Sequence, residues 1–217
     1  MNTFQFKITK KQFMISLIGN IILGIGIAVL RVSSMGNDPY TAMNMSISNL
    51  LPIGLGTYQV IFNCSIIAIQ LKFGKNYFGI GTVINMFLLG YIVEYSIPVI
   101  ELLVGVEGSH GFIGKLLIML VAVLLVAFGI AVYQEANGGV SPYDYLSLGM
   151  TDRGKFPYFV NRMTTDGICV IIALLPWIFG AAIFSECHIG IGTIVSAFCF
   201  GPLVDLFSRT VVRKIIK

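Results

Sequence analysis

Six long apolar runs constrain this chain of 217 residues more than any other feature of its sequence. They lie near residues 12–33, 56–73, 78–103, 112–134, 158–183 and 188–208. A helix rises about 1.5 Å per residue, so roughly 20 apolar residues cross the hydrocarbon layer of a membrane. Only helices or closed barrels pair all their backbone groups in lipid, and the runs lack the alternating pattern of barrel strands. The sequence therefore predicts an all-α fold, a polytopic transmembrane bundle of about six spans.

The composition excludes an ordinary soluble domain. Charged residues make up 11% of the chain and hydrophobic residues 56%, and the mean hydropathy is +0.89. Soluble domains carry roughly a quarter charged residues, which their water-facing surface requires. This chain has too few charged residues to cover a water-facing surface, so much of its surface must face a lipid bilayer. The basic residues flank the apolar runs instead of forming a stripe, so no nucleic-acid partner is expected.

The distribution of Lys and Arg predicts the orientation in the membrane. With the N-terminus in the cytoplasm, twelve of the fourteen basic residues lie at or near the inner side. The two others, Arg31 and Lys115, lie near the outer ends of spans. This asymmetry is the usual topology signal of a bacterial inner membrane protein and places both termini in the cytoplasm. The first run is too long for the core of a signal peptide, so we expect it to be retained as a span.

Two sets of matching segments indicate an internal repeat. Gly-Ile-Ala-Val at 26–29 recurs at 129–132, and Pro39-Tyr40 recurs at Pro142-Tyr143, both 103 residues later. Gly-Ile-Gly-Thr at 79–82 recurs at 190–193, 111 residues later, and Glu94 and Asp205 keep the same register. An insertion of eight residues near 175–183 reconciles the two offsets. The sequence thus predicts two homologous halves, residues 1–106 and 107–217.

Each half contains three spans and one short polar helix, at 36–54 and at 139–152. An odd number of spans makes the second half enter the membrane from the opposite side, so the repeats are inverted. Counting the short helices as full spans would give eight helices, but it would move Lys72 and Lys75 to the outside, against the charge rule. The short helices are therefore interfacial or re-entrant, and both alternatives remain open.

Several of these segments resemble a known family. They are Gly-Asn-Asp-Pro-Tyr at 36–40, Gly-Val-Ser-Pro-Tyr-Asp at 139–144, the two Gly-Ile-Gly-Thr blocks, and Phe-Gly-Pro-Leu-Val-Asp at 200–205. Over nearly the whole chain the sequence is similar to the YczE/YitT group of bacterial integral membrane proteins. The resemblance implies a multi-spanning bacterial membrane protein, and it carries over no substrate or functional residues.

The first candidate site residues are ionisable groups inside a span. Arg162 and Asp166 lie four residues apart, on one face of the fifth span, so they can pair. Charged groups at that depth are costly, and they usually mark a pathway for an ion or a solute. The alternative is that Arg162 reaches the interface and Asp166 only neutralises it. Gln59 and Asn63 occupy the equivalent positions in the first half.

Further candidates come from the repeat. Glu94 and Asp205 can each bind a cation, a proton or a cationic substrate, or can be inherited helix ends. Asp38 and Ser141 precede prolines and are expected to cap the short helices, whose N-termini can hold an anionic group. We include Asp38, Tyr40, Tyr143 and Asp144 in the pathway. The tyrosines alternatively serve as interfacial anchors.

A secondary transporter or permease for a small solute is the function these features favour. Inverted repeats, broken polar helices and sparse intramembrane charges coincide in such proteins. The alternative is a membrane scaffold or accessory protein that supports a partner. No enzyme signature, metal-ligand spacing or cofactor motif is present, and the four scattered cysteines fit packing roles. We therefore expect no enzyme, no metal and no cofactor. The sequence leaves open a coupling ion, a homo-oligomer and the identity of the solute.

Overall fold

The structure is a computed structural model that describes residues 8–105, 109–154, 156–178 and 189–216. Nine α-helices run through these residues, and no β-strand occurs among them. They are α1 (Lys10–Val32), α2 (Pro39–Ser48), α3 (Leu55–Phe73), α4 (Ile80–Val104), α5 (Phe112–Glu135), α6 (Pro142–Arg153), α7 (Tyr158–Ile178), α8 (Ile191–Phe207) and α9 (Arg213–Ile216). A 3₁₀ turn at Lys75–Tyr77 precedes α4, and a π-helical turn at Ser208–Val212 joins α8 to α9.

Five of the described helical segments are long and apolar enough to cross a membrane, which confirms the all-α transmembrane bundle. They are Lys10–Val32, Ile80–Val104, Phe112–Glu135, Tyr158–Pro176 and Ile191–Ile216. The remaining predicted span corresponds to α3, which has 19 residues. Polar residues such as Gln59, Asn63 and Lys72 lower the hydropathy of α3, which is not among these five segments. The helices imply a lipid environment for the protein.

Parts of the sequence-based interpretation fall outside the described residues. These parts are Lys7, Lys155, Cys187 and Lys217, the boundary between residues 106 and 107, and positions 179–183 of the expected insertion.

The two short helices begin as their sequences predict. Proline occupies the first turn of both α2 and α6, where its missing N–H costs no hydrogen bond. Asp38 Oδ1 accepts the N–H of Thr41 at 3.0 Å. Ser141 Oγ accepts the N–H of Asp144 at 3.0 Å. The cap residues therefore satisfy part of each helix N-terminus internally.

Both short helices lie within the bundle. α2 packs mainly against α7, and α6 packs against α3 and α7. Their buried residues include side chains from more than one face, among them Ala42, Met43, Asn44, Tyr143 and Ser147. An amphipathic helix lying on the bundle surface would bury only one face.

The centre of the bundle is an antiparallel contact between α1 and α5, in which glycines let the two backbones approach. A methyl group built on Gly26 would lie 2.7 Å from the backbone N of Val126. One built on Gly129 would lie 2.5 Å from the backbone N of Leu23. Gly26 and Gly129 are 103 residues apart, as are Leu23 and Val126. The two contacts therefore correspond to each other at this offset, with the roles of α1 and α5 exchanged.

A second pair of contacts joins the start of each short helix to a Gly-Ile-Gly-Thr block. Gly81 N donates to Gly138 O at 2.7 Å, and Gly192 N donates to Met35 O at 2.7 Å. The turns that precede α2 and α6 contain Gly36 at φ 112° and Gly139 at φ 104°. L-residues rarely adopt this backbone conformation, which accounts for glycine at both places. The turn before α2 thus fixes the start of α8 beside the start of α2. The turn before α6 fixes the start of α4 beside the start of α6.

Polar contacts at one end of the bundle connect elements that are distant in sequence. Arg213 Nε lies 2.9 Å from Glu135 Oε1, and Tyr77 Oη donates to Asp152 Oδ2 at 2.7 Å. Burial raises the pKa of Tyr77 well above its usual range, and the hydrogen bond to Asp152 adds to the rise. These contacts fasten α9 to α5, and the turn before α4 to α6.

Candidate functional site

A cavity of about 550 Å³ lies between α3 and α4 and reaches the centre of the bundle. Its walls contain residues of α1 to α7 and Phe200 of α8. Eight of the ten residues that the sequence proposed for a pathway line it: Asp38, Tyr40, Gln59, Asn63, Glu94, Tyr143, Asp144 and Arg162. A cavity of this size can hold a small molecule.

Two tyrosines from the short helices meet at the cavity. The rings of Tyr40 and Tyr143 stack with their centroids 4.5 Å apart and their planes 27° apart. Tyr40 Oη donates to Asn63 Oδ1 at 2.7 Å, and Tyr143 Oη donates to Asp166 Oδ1 at 2.5 Å. Tyr40 and Tyr143, like Asn63 and Asp166, are 103 residues apart. The two stacked tyrosines therefore make hydrogen bonds to residues that are related by the same offset of 103 positions.

A buried ionic triad lies behind and beside these rings. The guanidinium of Arg162 donates through Nη1 to Asp144 Oδ1 and through Nε to Asp166 Oδ2, the latter at 3.1 Å. It also lies 4.8 Å from the ring centroid of Tyr143. The side chains of Arg162, Asp144 and Asp166 are 5%, 6% and 1% exposed, respectively. Arg162 and Asp144 line the cavity, whereas Asp166 is enclosed behind them.

The sequence interpretation missed four polar residues of the described cavity wall: Arg31, Asn37, Thr41 and Asn85. The sequence assigns Arg31 only a role in topology, yet Arg31 lines the cavity together with Thr41 and Asn85. Asn85 Nδ2 donates to Asn20 Oδ1 at 2.7 Å, so two polar residues of apolar spans meet there. Asn85 could have been proposed from the sequence, because it is an amide within an apolar run. Thr41 could also have been proposed, because it lies 103 residues before the candidate Asp144.

Glu94 and Asp205 lie in different surroundings. Glu94 lines the cavity. Asp205 is absent from the described cavity wall and accepts Arg209 Nε at 2.8 Å, with 22% of its own side chain exposed. The structure therefore brings only one of this pair to the cavity.

The described residues of α7 and α8, which the sequence offsets of 103 and 111 match to α3 and α4, pack closely together. α7 packs along α8, and a methyl group built on Gly201 would lie 2.5 Å from the backbone O of Phe159. Gly90 is the residue 111 positions before Gly201, and a methyl group there would meet nothing within 4 Å. The helices α7 and α8 are thus in contact, whereas α3 and α4 are separated by the cavity.

Metal-ligating side chains are not gathered at the cavity. Among the described residues, no group of three or more His, Cys, Asp or Glu is placed to hold a metal ion. The described cysteines, Cys64, Cys169 and Cys199, are free.

The helices and the cavity define a polytopic helical membrane protein with a polar, partly charged interior. The chain belongs to a family of unknown function, DUF6198, whose model matches residues 10–209. It is 23% identical over 187 residues to the "Uncharacterized membrane protein YczE" of Bacillus subtilis, covering 86% of this chain and 80% of that protein. This agrees with the family that the sequence motifs resemble.

Two further relatives have a similar extent. An "Uncharacterized protein" of Haemophilus influenzae is 23% identical over 203 residues, which cover 94% of this chain and 86% of the relative. The "Uncharacterized protein YyaS" of Bacillus subtilis is 22% identical over 199 residues, which cover 92% and 93% of the two chains. No solved structure matches the chain.

Proposed function

We propose that this protein is a secondary transporter for a small solute, built from two inverted repeats around the cavity. In this proposal the repeats are residues 1–106 and 107–217. The protein lies in the inner membrane with both termini in the cytoplasm. The proposed activity is transport and not catalysis.

The observation that carries the proposal is the difference between the two equivalent helix pairs. Inverted repeats can exchange conformations, so that each repeat adopts the arrangement that the other had before. α3 and α4 are separated by the cavity, while α7 and α8 are in contact at Gly201. Exchanging the two arrangements would close the cavity at Gly90 and open another at Gly201. The solute would then reach the opposite side of the membrane.

The ionic triad and the stacked tyrosines support the same proposal. Burying charges inside a membrane protein is costly, and such groups are usually retained for ion or solute pathways. Here they lie where the first turns of the two short helices meet beside the cavity. With the N-terminus in the cytoplasm, the end of the cavity near Arg31 and Glu94 faces the outside.

A scaffold or accessory role is the competing function. It needs helix packing but no solute-sized cavity and no exchange between two states. The two functions can be distinguished at a glycine where an added methyl group would meet no atom within 4 Å. Packing in the observed state does not need such a glycine, so a scaffold would tolerate its replacement, whereas a transporter whose helices close on it would not.

The test is uptake by purified protein in liposomes, with the variant Gly90→Leu. A leucine at Gly90 has room in the observed state but prevents α3 from closing on α4. We expect folding to be unchanged and uptake to fall at least tenfold, about 1.4 kcal/mol or more on the barrier. The assay measures accumulation of a panel of amines, amino acids, sugars and carboxylic acids.

Gly167→Leu is the matched control, because Gly167 is a helical glycine of α7 that also has nothing within 4 Å of the added carbon. It does not line the cavity and should transport normally. Equal activity of wild type, Gly90→Leu and protein-free vesicles for every solute would favour the scaffold role.

A further inference from the structure

The charges around the cavity do not balance, and the imbalance indicates the kind of solute. The triad contains one cation, Arg162, and two carboxylates, Asp144 and Asp166. Both carboxylates share this one guanidinium, so with both of them ionised the buried triad carries one excess negative charge. An uncompensated charge in a low-dielectric interior is strongly unfavourable. A positive charge placed against the triad would remove this penalty.

The hydrogen bonds show where that charge would lie. Asp144 accepts Arg162 through Oδ1, and its Oδ2 accepts no hydrogen bond from the described residues. Asp144 is buried to more than nine-tenths, yet it lines the cavity. Its second oxygen is therefore the unused acceptor of a buried carboxylate at the cavity wall.

Asp38 adds a second carboxylate to the same wall. Its Oδ1 accepts the N–H of Thr41, and its Oδ2 has no donor among the described residues. Asp38 and Asp144 both line the cavity, at the starts of the two short helices. Among the described residues of the cavity wall, the remaining charged side chains are Arg31 and Glu94, whose opposite charges cancel.

An anionic solute fits this geometry poorly. The short helices begin beside the cavity, and a helix N-terminus can attract an anion. Here Asp38 itself caps α2, and Ser141 caps α6 with the carboxylate of Asp144 in its first turn. Negative side chains already occupy both N-terminal regions. The guanidinium of Arg162 is likewise engaged by two carboxylates.

We propose that the cavity binds a positively charged solute or ion, held between Asp144 and Asp38 beside the stacked tyrosines. This inference rests on the proposed function and specifies its substrate class. An organic ammonium and Na⁺ share the required chemistry, and the experiment separates them.

The experiment measures binding by isothermal titration of the full chain in lipid nanodiscs. Choline and ethylammonium are the organic probes, titrated in Na⁺-free buffer, and NaCl is titrated separately. The uncharged isostere of choline, 3,3-dimethylbutan-1-ol, tests whether the charge matters. We expect at least one cationic probe to bind and the neutral isostere to bind at least tenfold more weakly.

Three variants locate the binding site. Asp144→Asn leaves a neutral Arg162–Asp166 pair, and Asp38→Asn keeps a good helix cap, so both should fold. Each should weaken cation binding at least tenfold. Glu101→Gln is the control, because Glu101 lies on α4 but does not line the cavity, and its affinity should be unchanged.

The outcomes are distinct from those of the uptake assay. If Na⁺ is the only cation that binds, the bound cation is a coupling ion. If an ammonium compound binds in the absence of Na⁺, the bound cation is the solute. No binding by any cationic probe would overturn the inference, because the triad would then be neutralised by a proton. Equal affinity for choline in wild type, Asp144→Asn and Asp38→Asn would also overturn it. If uptake of a neutral or anionic solute is inhibited by Gly90→Leu, transport stands and only the cationic class fails.

Discussion

At the scale of single residues, Arg162 holds the buried charges of the cavity together, because it donates to both Asp144 and Asp166. Replacing it with Met would leave two buried carboxylates without their cation. We expect Arg162→Met to lower the free energy of unfolding by about 3–5 kcal/mol, the usual result of breaking a buried ion pair. The measurement is the melting temperature of the purified protein in detergent.

Asp166→Asn is the informative comparison, because it removes the excess negative charge and leaves Arg162 paired with Asp144. It should melt much closer to wild type than Arg162→Met does. Similar melting temperatures for wild type and Arg162→Met would mean that the triad is not ionised as described.

One of the two ion pairs of this triad could be predicted from the sequence. The spacing of four residues pairs Arg162 with Asp166 on one helix. Asp144 lies on another helix, 18 residues before Arg162, and only the packing of α6 against α7 brings it near. The stacking of Tyr40 on Tyr143 is likewise a contact between helices distant in sequence. Local spacing gives partners within a helix, whereas partners across helices depend on the assembled bundle.

At the scale of helices, the short elements α2 and α6 were partly predictable. Their starts follow from the cap and proline residues, which act locally. Their burial was not predictable, because the sequence allowed either an interfacial or a re-entrant helix. What decided it was packing against α3 and α7. α3 itself contains amides that lower its hydropathy, and those amides line the cavity.

The inverted arrangement predicts opposite exposure of the ends of α2 and α6. Single cysteines are introduced at Leu50 and at Asp152, which are exposed positions near these ends, in a chain whose native cysteines are replaced by serine. We expect a membrane-impermeant maleimide to label position 50 from outside intact cells. Position 152 should be labelled only in inside-out vesicles. Labelling of both cysteines from one side would contradict the inverted repeats.

At the scale of the whole molecule, the proposed transport cycle requires the two helix pairs to exchange between open and closed arrangements. The structure holds one arrangement, with the cavity between α3 and α4 and a contact between α7 and α8. The distances between the two helices of each pair should therefore have two values and should change in opposite directions. A static scaffold would have one value for each pair.

The most direct measurement is the distance between paired spin labels by double electron–electron resonance in nanodiscs. One labelled protein carries Val60→Cys on α3 and Tyr95→Cys on α4, and the other carries the equivalent changes Met163→Cys on α7 and Leu206→Cys on α8. We predict two distance populations in each protein, with Gly90→Leu suppressing the short α3–α4 population and the long α7–α8 population together. A single distance in both proteins, unchanged by Gly90→Leu and by choline or NaCl, would contradict the account.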